Sequence, residues 1–164
     1  MSNESINWDK LGFDYIKTDK RYLSVWRNGE WDKGTLTDDN VLHISEGSTA
    51  LHYGQQCFEG MKAYKAADGR ITLFRPEENA RRFNKSAERM AMPDVPEELF
   101  LKAVEELVKI DAKWVPEGEG SLYLRPFMFA SEAFLGVRPA KSYKFLVIAS
   151  PAGNYFKSGS PAVS

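Results

Sequence analysis

The first half of the chain has the pattern of β-hairpins. A β-prone run that begins at Arg21 ends at Asn28-Gly29, a dipeptide that favours a tight hairpin turn. A clearer hairpin follows, in which the run from Met61 reaches Asp68-Gly69 and the returning run carries apolar residues on alternate positions. We therefore expect two antiparallel strand pairs before the middle of the chain.

Two helices are expected after these hairpins, because apolar residues then recur at intervals of three and four. Both begin with a proline followed by two glutamates, which suits the first turn of a helix. The first begins at Pro76 and is expected to end before Pro93. The second begins at Pro96, and its periodicity continues through Trp114 until Pro116.

Strands return in the last third, over residues 121–129 and 143–150, and the unbroken apolar run 145–149 predicts a buried central strand. Strands, then helices, then strands are typical of the α+β class. The chain is therefore expected to contain a lead-in segment over 1–20 and one small α+β domain over 21–152. The Gly-, Ser- and Pro-rich residues 153–164 have the character of a linker.

The composition is that of an ordinary folded domain with no bias towards a charged partner. The 164 residues are 43% hydrophobic and 27% charged, with a formal net charge of -1, which gives no support for nucleic-acid binding. The single cysteine, Cys57, has no partner for a disulfide, and no apolar run approaches the ~20 residues that span a bilayer. We therefore expect a cytoplasmic protein with a reduced thiol and no membrane contact.

The common sequence signatures of metal and phosphate sites are missing. The chain has no HExxH, CxxC or GxxxxGK[ST] motif, so neither a metal site nor a P-loop is predicted. His43 and His52 lie far apart without a carboxylate at metal-ligand spacing, and structural or surface positions are expected for both. Cys57 is expected to be buried and unreactive rather than nucleophilic.

Arginines offer candidate anion sites on the first helix. Arg82 lies three positions after Asn79, so the two side chains share one helix face near the N-terminal end. A guanidinium close to free backbone N–H groups makes a good site for an anion, above all for phosphate. The alternative is that Arg75, Arg81 and Arg82 are simply solvated.

Arg125 and Tyr123 lie two positions apart in an apolar strand and so share one face of it. If that face is the inner one, the phenol and the guanidinium line a polar pocket that suits a carboxylate. If it is the outer face, both are plain surface residues. Periodicity alone leaves both alternatives open.

Several motifs together resemble the branched-chain amino acid aminotransferases. The most extensive motif is LHYGQQCFEGMKAY at 51–64. It is followed by LFRP at 73–76 with Asn79 and Arg82, SLYLRP at 121–126, LGV at 135–137 and PAGNYF at 151–156. They keep the order and spacing of the family and extend over nearly the whole chain from about Phe13. The resemblance implies the small N-terminal domain of a fold-type IV pyridoxal phosphate enzyme, an α+β domain with an antiparallel sheet and two helices.

The resemblance also implies roles for individual residues. Arg82 matches the arginine that holds the phosphate of pyridoxal 5'-phosphate. Tyr123 matches the phenol that helps to receive the substrate α-carboxylate, and Arg125 matches the arginine for the second carboxylate of 2-oxoglutarate or glutamate. The other matches belong to the substrate pocket: Phe13, Tyr53 and Phe58 to its side-chain walls, Tyr155 to the interdomain loop above it, and Val137 to the pocket of the neighbouring subunit in a homodimer.

The implied reaction is transfer of the amino group of L-leucine, L-isoleucine or L-valine to 2-oxoglutarate through pyridoxal 5'-phosphate. One pocket then accepts an apolar side chain and, in turn, a carboxylate. Aromatic walls suit the first, and an arginine at the rim suits the second, because a buried carboxylate without a partner is costly.

The lysine that carries the cofactor in this family, and the acid that pairs with its pyridine nitrogen, belong to a second domain. The chain stops at Ser164, inside the interdomain loop that 153–164 begins, and Lys62 does not match the cofactor lysine. No catalytic residue is therefore assigned here, and the fragment is expected to be inactive alone. Two alternatives remain, namely another fold-type IV enzyme such as a D-amino-acid aminotransferase, and a non-catalytic binding or dimerisation module.

Overall fold

The protein is built on a curled antiparallel sheet of eight strands. The computed structural model describes residues 6–153. Within them the strands are β1 (Arg21–Arg27), β2 (Glu30–Trp31), β3 (Thr35–Thr37), β4 (Gln56–Phe58), β5 (Met61–Lys65), β6 (Ile71–Leu73), β7 (Ser121–Ala130) and β8 (Ser142–Ala152). The helices are α1 (Thr49–Tyr53), α2 (Pro76–Arg89) and α3 (Glu97–Ile110), with 3-10 turns at Trp8–Lys10 and Ala112–Trp114.

The strand order along the sheet is β2-β1-β8-β7-β5-β6, with β3 paired to β1 and β4 paired to β7. The longest ladder joins β7 and β8 over ten residue pairs, from Ser121 opposite Ala152 to Ala130 opposite Tyr143. β8 therefore lies between β1 and β7, as predicted for the apolar run 145–149. Both expected hairpins form, with β2 returning against β1 and β6 against β5.

Only one face of the sheet is covered by helices α2 and α3. Leu122 and Leu124 of β7 are fully buried on that face, in the same core as Phe83 and Phe100 of the helices. Phe145 of β8 lies at the centre of this core, with its ring centroid 5.6 Å from that of Phe83 and 5.8 Å from that of Phe100. The opposite face, called the open face below, carries the alternate residues of the same strands.

The two predicted helices are present, but the second begins at Glu97, with Pro96 as its cap, and ends earlier than predicted. α2 begins at Pro76 as expected, and its buried residues recur at helical spacing. The α-helical part of α3 ends at Ile110, earlier than the periodicity predicted. A 3-10 turn continues the chain to Trp114, which is buried. The turn is closed by the Trp114 N–H, which donates to the carbonyl of Asp111, the residue that caps the helix, at 2.8 Å.

The prediction of two helices missed a third, short one. α1 has five residues and ends at Tyr53; the capping residue Gly54 adopts a left-handed conformation with φ of 62°. Such a helix completes little more than one turn, so it shows no apolar periodicity in the sequence. No helix within residues 6–153 is long and apolar enough to cross a membrane.

The described part of the lead-in lies along the end of β8. The Gly153 N–H donates to the Gly12 carbonyl at 3.0 Å, and the Ile16 N–H donates to Ser150 Oγ at 2.9 Å. Further along, the Lys20 N–H donates to Asp111 Oδ2 at 3.2 Å. These bonds set the path of the segment that carries Phe13 across the open face.

Candidate active site on the open face of the sheet

A hydrogen-bonded pair of side chains from β7 forms the centre of the site. The Nε and Nη2 groups of Arg125 both donate to the hydroxyl of Tyr123, at 3.0 and 2.8 Å. The two residues are half-buried and share the open face, because they lie two positions apart in the strand. The structure thus places the pair on the face away from the helices, where both side chains reach the surface of a cavity.

Aromatic rings contact this pair on two sides. The Arg125 Cζ atom lies 4.3 Å from the centroid of the Phe58 ring, a distance at which a guanidinium is attracted to an aromatic face. The ring of Phe13 meets that of Tyr123 edge to face, with centroids 5.0 Å apart. Four of the predicted site residues therefore form one contiguous group.

An open cavity of about 320 Å³ adjoins this group. It is lined by three elements: the lead-in, β7 and the end of β8. The lining residues are Phe13, Asp14, Tyr15, Tyr123, Arg125, Ile148, Ala149, Ser150 and Ala152. Its surface is thus largely apolar, with two charged side chains, Arg125 of β7 and Asp14 of the lead-in.

Arg82 lies on α2 and is paired to a buried acid. Its Nε and Nη2 groups donate to the two carboxylate oxygens of Glu59, at 2.6 and 2.7 Å. Asn79 Nδ2 donates to the same carboxylate at 2.9 Å, so the shared helix face of Asn79 and Arg82 is confirmed. Arg82 lies in the second turn of α2, and its main partner is the Glu59 carboxylate rather than the free N–H groups of the first turn.

The Glu59 carboxyl is ionised in this setting. Burial on its own raises the pKa of this carboxyl, but hydrogen bonds from Arg82 and Asn79 outweigh burial and hold the pKa below its usual value. The pKa of the Arg82 guanidinium is raised, chiefly by its hydrogen bond to Glu59. At neutral pH the pair is therefore a full salt bridge.

Gly60 connects the Arg82 pair to the Tyr123 pair. A Cβ atom placed on Gly60 would lie 2.6 Å from the Tyr123 hydroxyl, which is closer than real Cβ contacts allow. Only glycine therefore admits the Tyr123 ring at its observed position. Consecutive residues thus serve both parts of the site, since Glu59 contacts α2 and Gly60 contacts Tyr123.

Tyr53 and Val137 belong to a separate group at the connection between β7 and β8. The Tyr53 hydroxyl, at the end of α1, donates to the carbonyl of Leu135 in this connection. Val137 is 87% exposed and Leu135 is 67% exposed, so two apolar side chains project from the surface. Tyr53 thus contacts the loop that carries Val137.

A bidentate salt bridge closes the loop that presents Val137. Arg138 Nη1 and Nη2 donate to the Glu132 carboxylate at 3.0 and 2.9 Å, and the Arg138 Cζ atom lies 3.8 Å from the Phe134 ring centroid. The hydrogen bond from Arg138 is the main reason that the pKa of Glu132 is lowered. These contacts give the exposed loop a defined shape.

The histidines, Cys57 and Tyr155 are the remaining residues that the sequence analysis considered. His43 and His52 are both exposed, and no cluster of metal-ligating residues occurs within residues 6–153. Cys57 is only partly buried, less than the sequence led us to expect; burial together with the charge of Glu59 raises the pKa of its thiol to about 12, which disfavours the thiolate. Tyr155 lies outside the described residues.

Sequence reasoning missed the role of Glu59. Glu59 is the only acidic residue in the motif 51–64 and follows Phe58 directly, and this was the available signal, because a carboxylate that is buried there needs a cation. The sequence could not show that this cation is Arg82, 23 residues away.

The predicted family is confirmed by comparison with known proteins. Residues 56–161 match the model of the family described as amino-transferase class IV. The chain is 52% identical over 158 residues to the branched-chain-amino-acid aminotransferase of Haemophilus influenzae, covering 95% of this chain and 46% of that protein. The Helicobacter pylori protein of the same name gives the same identity and coverage.

Solved structures of branched-chain amino acid aminotransferases share the fold of this chain. The branched-chain amino acid aminotransferase of Escherichia coli superposes with a TM-score of 0.68 at 26% identity, over 87% of this chain and 42% of that one. The branched-chain aminotransferase of the archaeon Thermoproteus uzoniensis, solved with norvaline, gives a TM-score of 0.62 at 25% identity, over 83% and 43%. Another similar structure was solved with pyridoxamine 5'-phosphate. The chain spans a little under half the length of these relatives, and it belongs to the class IV aminotransferase family.

Proposed function

We propose that this chain supplies part of the active site of a pyridoxal phosphate-dependent branched-chain amino acid aminotransferase. The substrates are L-leucine, L-isoleucine and L-valine as amino donors and 2-oxoglutarate as acceptor. The observation that carries the proposal is the Tyr123–Arg125 pair, which lies between the rings of Phe13 and Phe58 beside an open cavity. The names of relatives about 50% identical to this chain support the same function.

The site suits both an apolar and a charged side chain. Phe13 and Phe58 offer apolar surface that a branched aliphatic side chain covers favourably. Arg125 donates its Nε–H and one N–H of Nη2 to Tyr123. The other N–H groups of the guanidinium remain available to bind a carboxylate. We therefore assign Arg125 to the second carboxylate of 2-oxoglutarate or glutamate, and Tyr123 to the α-carboxylate that all these substrates share.

The residues on α2 fit the phosphate group of the cofactor. The Arg82 side chain is 67% exposed, so its guanidinium is accessible to an anion, and Asn79 lies beside it as a second polar group. When bound, pyridoxal phosphate acts as an electron sink for the charge that develops when the substrate Cα–H bond breaks. The proposed task of Arg82 is to hold the phosphate, so that the cofactor keeps one orientation towards the Tyr123–Arg125 pair.

The assembly and compartment are part of the same proposal. The exposed Leu135 and Val137 on a salt-bridged loop suit insertion into the pocket of a second subunit, so we infer a homodimer. We expect Tyr155 to cover the substrate, and the boundaries at 1–20, 21–152 and 153–164 remain predictions. Similar proteins include ones named chloroplastic and mitochondrial, and cytoplasmic location is likewise our inference for this chain.

The function is tested by assaying the full-length protein with 2-oxoglutarate and either L-leucine or D-alanine. We expect glutamate formation with L-leucine and much slower reaction with D-alanine. A preference for D-alanine would assign the protein to D-amino-acid transamination. Lack of turnover with both donors, in a folded protein supplied with pyridoxal phosphate, would support a non-catalytic module instead.

Replacement of Arg125 is expected to affect the two halves of the reaction unequally. Arg125→Gln in the full-length protein removes the cation for the second carboxylate, so kcat/KM for 2-oxoglutarate should fall about 10- to 100-fold, in line with the loss of a charged hydrogen bond. The value for L-leucine should fall by a smaller factor, because L-leucine loses only the support that Arg125 gives to Tyr123 and has no side-chain carboxylate. Single-turnover measurement of each half-reaction separates the two.

The matched control is Arg70→Gln. Arg70 is an exposed arginine in the β5–β6 turn whose partner is Asp68, and its replacement should leave both half-reactions unchanged. Equal losses for L-leucine and 2-oxoglutarate in Arg125→Gln would contradict the assignment of Arg125.

Replacement of Gly60 is expected to affect both substrates alike. Gly60→Ala forces the Tyr123 ring to move, and a shift of a binding group by about 1 Å can lower the rate by up to ~100-fold. We expect kcat/KM to fall at least about tenfold for L-leucine and for 2-oxoglutarate, because both carry the α-carboxylate. Gly47→Ala is the control, since a Cβ there meets its nearest neighbour at 3.7 Å. Wild-type kinetics in Gly60→Ala would show that the position of Tyr123 is unimportant.

A further inference from the structure

The Arg82 ion pair joins a buried acid to an exposed cation. The Glu59 side chain is 5% exposed, whereas that of Arg82 is 67% exposed. Both carboxylate oxygens are used, because Arg82 Nε and Nη2 donate to Oε1 and Oε2 respectively. One edge of the guanidinium is thus fixed by the protein, while most of the side chain faces solvent.

Glu59 is itself held by two other elements. Asn79 Nδ2, on α2, donates to its Oε2 atom, and the Glu59 N–H donates to the carbonyl of Pro126 in β7 at 2.8 Å. The orientation of Arg82 is therefore set by the contact between the sheet and α2. A bidentate bond to an anchored carboxylate restricts both the position and the plane of the guanidinium.

Other ion pairs on α2 lack these features. Glu78 meets Arg75 and Arg81 through a single carboxylate oxygen, and all three side chains are about half exposed. Pairs of that kind contribute little to stability. Burial of the Glu59 carboxylate carries a desolvation penalty that a surface pair avoids, so its position requires another explanation. Such an explanation is that Glu59 fixes the orientation of the exposed Arg82 guanidinium.

We propose that Glu59 is a positioning residue for the cofactor phosphate: it aligns Arg82 so that the guanidinium N–H groups not bonded to Glu59 face the phosphate. The proposal rests on the proposed function, which takes Arg82 as the phosphate ligand. It adds a residue that acts through Arg82 and touches neither cofactor nor substrate.

Removal of the Glu59 charge has two opposing effects on Arg82. Glu59 offsets the positive charge of Arg82, so loss of this offset on its own favours binding of an anion; because Glu59 is buried, salt screens the offset only in part. Loss of the bidentate bond frees the long Arg82 side chain, which then loses conformational freedom when the phosphate binds. The proposal requires that alignment outweigh the lost charge offset, so that loss of Glu59 weakens phosphate binding.

The test compares two probes that differ only in the phosphate. Pyridoxal 5'-phosphate and pyridoxal are titrated into cofactor-free full-length protein, and their dissociation constants are measured by absorbance. In Glu59→Gln we expect binding of pyridoxal 5'-phosphate to weaken at least tenfold, which corresponds to ~1.4 kcal/mol, and binding of pyridoxal to change less than twofold. Glu78→Gln, which disrupts the surface pairs on the same helix, should change neither constant.

The outcomes separate this inference from the proposed function. Equal weakening of both probes in Glu59→Gln, or no weakening, would overturn the positioning role. Arg82→Gln provides the reference: if it leaves the ratio of the two constants unchanged, the phosphate assignment of Arg82 fails, and the proposal fails with it. If Arg82→Gln lowers selectivity for the phosphate and Glu59→Gln does not, only the positioning role fails.

A second variant covers the case in which Glu59→Gln does not fold. Glu59→Asp keeps the charge but shortens the side chain, so it cannot reach Arg82 in the same bidentate geometry. We expect it to weaken pyridoxal 5'-phosphate by a smaller factor, three- to tenfold, with pyridoxal unchanged. An unaltered ratio in this variant would overturn the proposal.

Discussion

The pairing of β7 with β8 is the constraint on which the rest of the structure depends. These two strands make the longest ladder of the sheet, and β1, β4 and β5 are added to its edges. The ladder also decides which residues face the helices. A slip of one residue would move Arg125 into the helix-covered core and expose Leu124 instead. Such a register is strongly disfavoured, because burying a cation without a partner costs a large free energy. The register that forms the core therefore also exposes the candidate site.

The second feature that shapes the site is a proline in the same strand. Pro126 accepts a hydrogen bond from the Glu59 N–H but has no N–H to return, so the pairing between β7 and the preceding strands is interrupted there. The interruption separates β4 from β5 and contains Glu59 and Gly60. One of these residues fixes Arg82 and the other accommodates Tyr123. A break in a regular ladder thus connects two chemically different parts of one site.

Much of the fold followed from the sequence because local signals and long-range packing agree. The Asp68-Gly69 turn, the proline at the start of α2 and the apolar run of β8 each have a local cause and each is present. α1 was not predictable, because the five residues before Gly54 are too few to show apolar periodicity. The site was predictable mainly from motifs. Alternation along the strand shows that Tyr123 and Arg125 share a face, but it does not show which face of the sheet α2 and α3 cover. The partner of Arg82 depends on contacts between distant segments, which no local pattern reveals.

The most direct test of this account is a crystal structure of the full-length protein with its cofactor and glutamate. The account predicts that the cofactor phosphate contacts Arg82 and that the Glu59 salt bridge is retained. It also predicts that the side-chain carboxylate of glutamate contacts Arg125 on the open face. A structure in which the phosphate is bound by other residues, or in which the glutamate lies away from the Tyr123–Arg125 pair, would contradict the account.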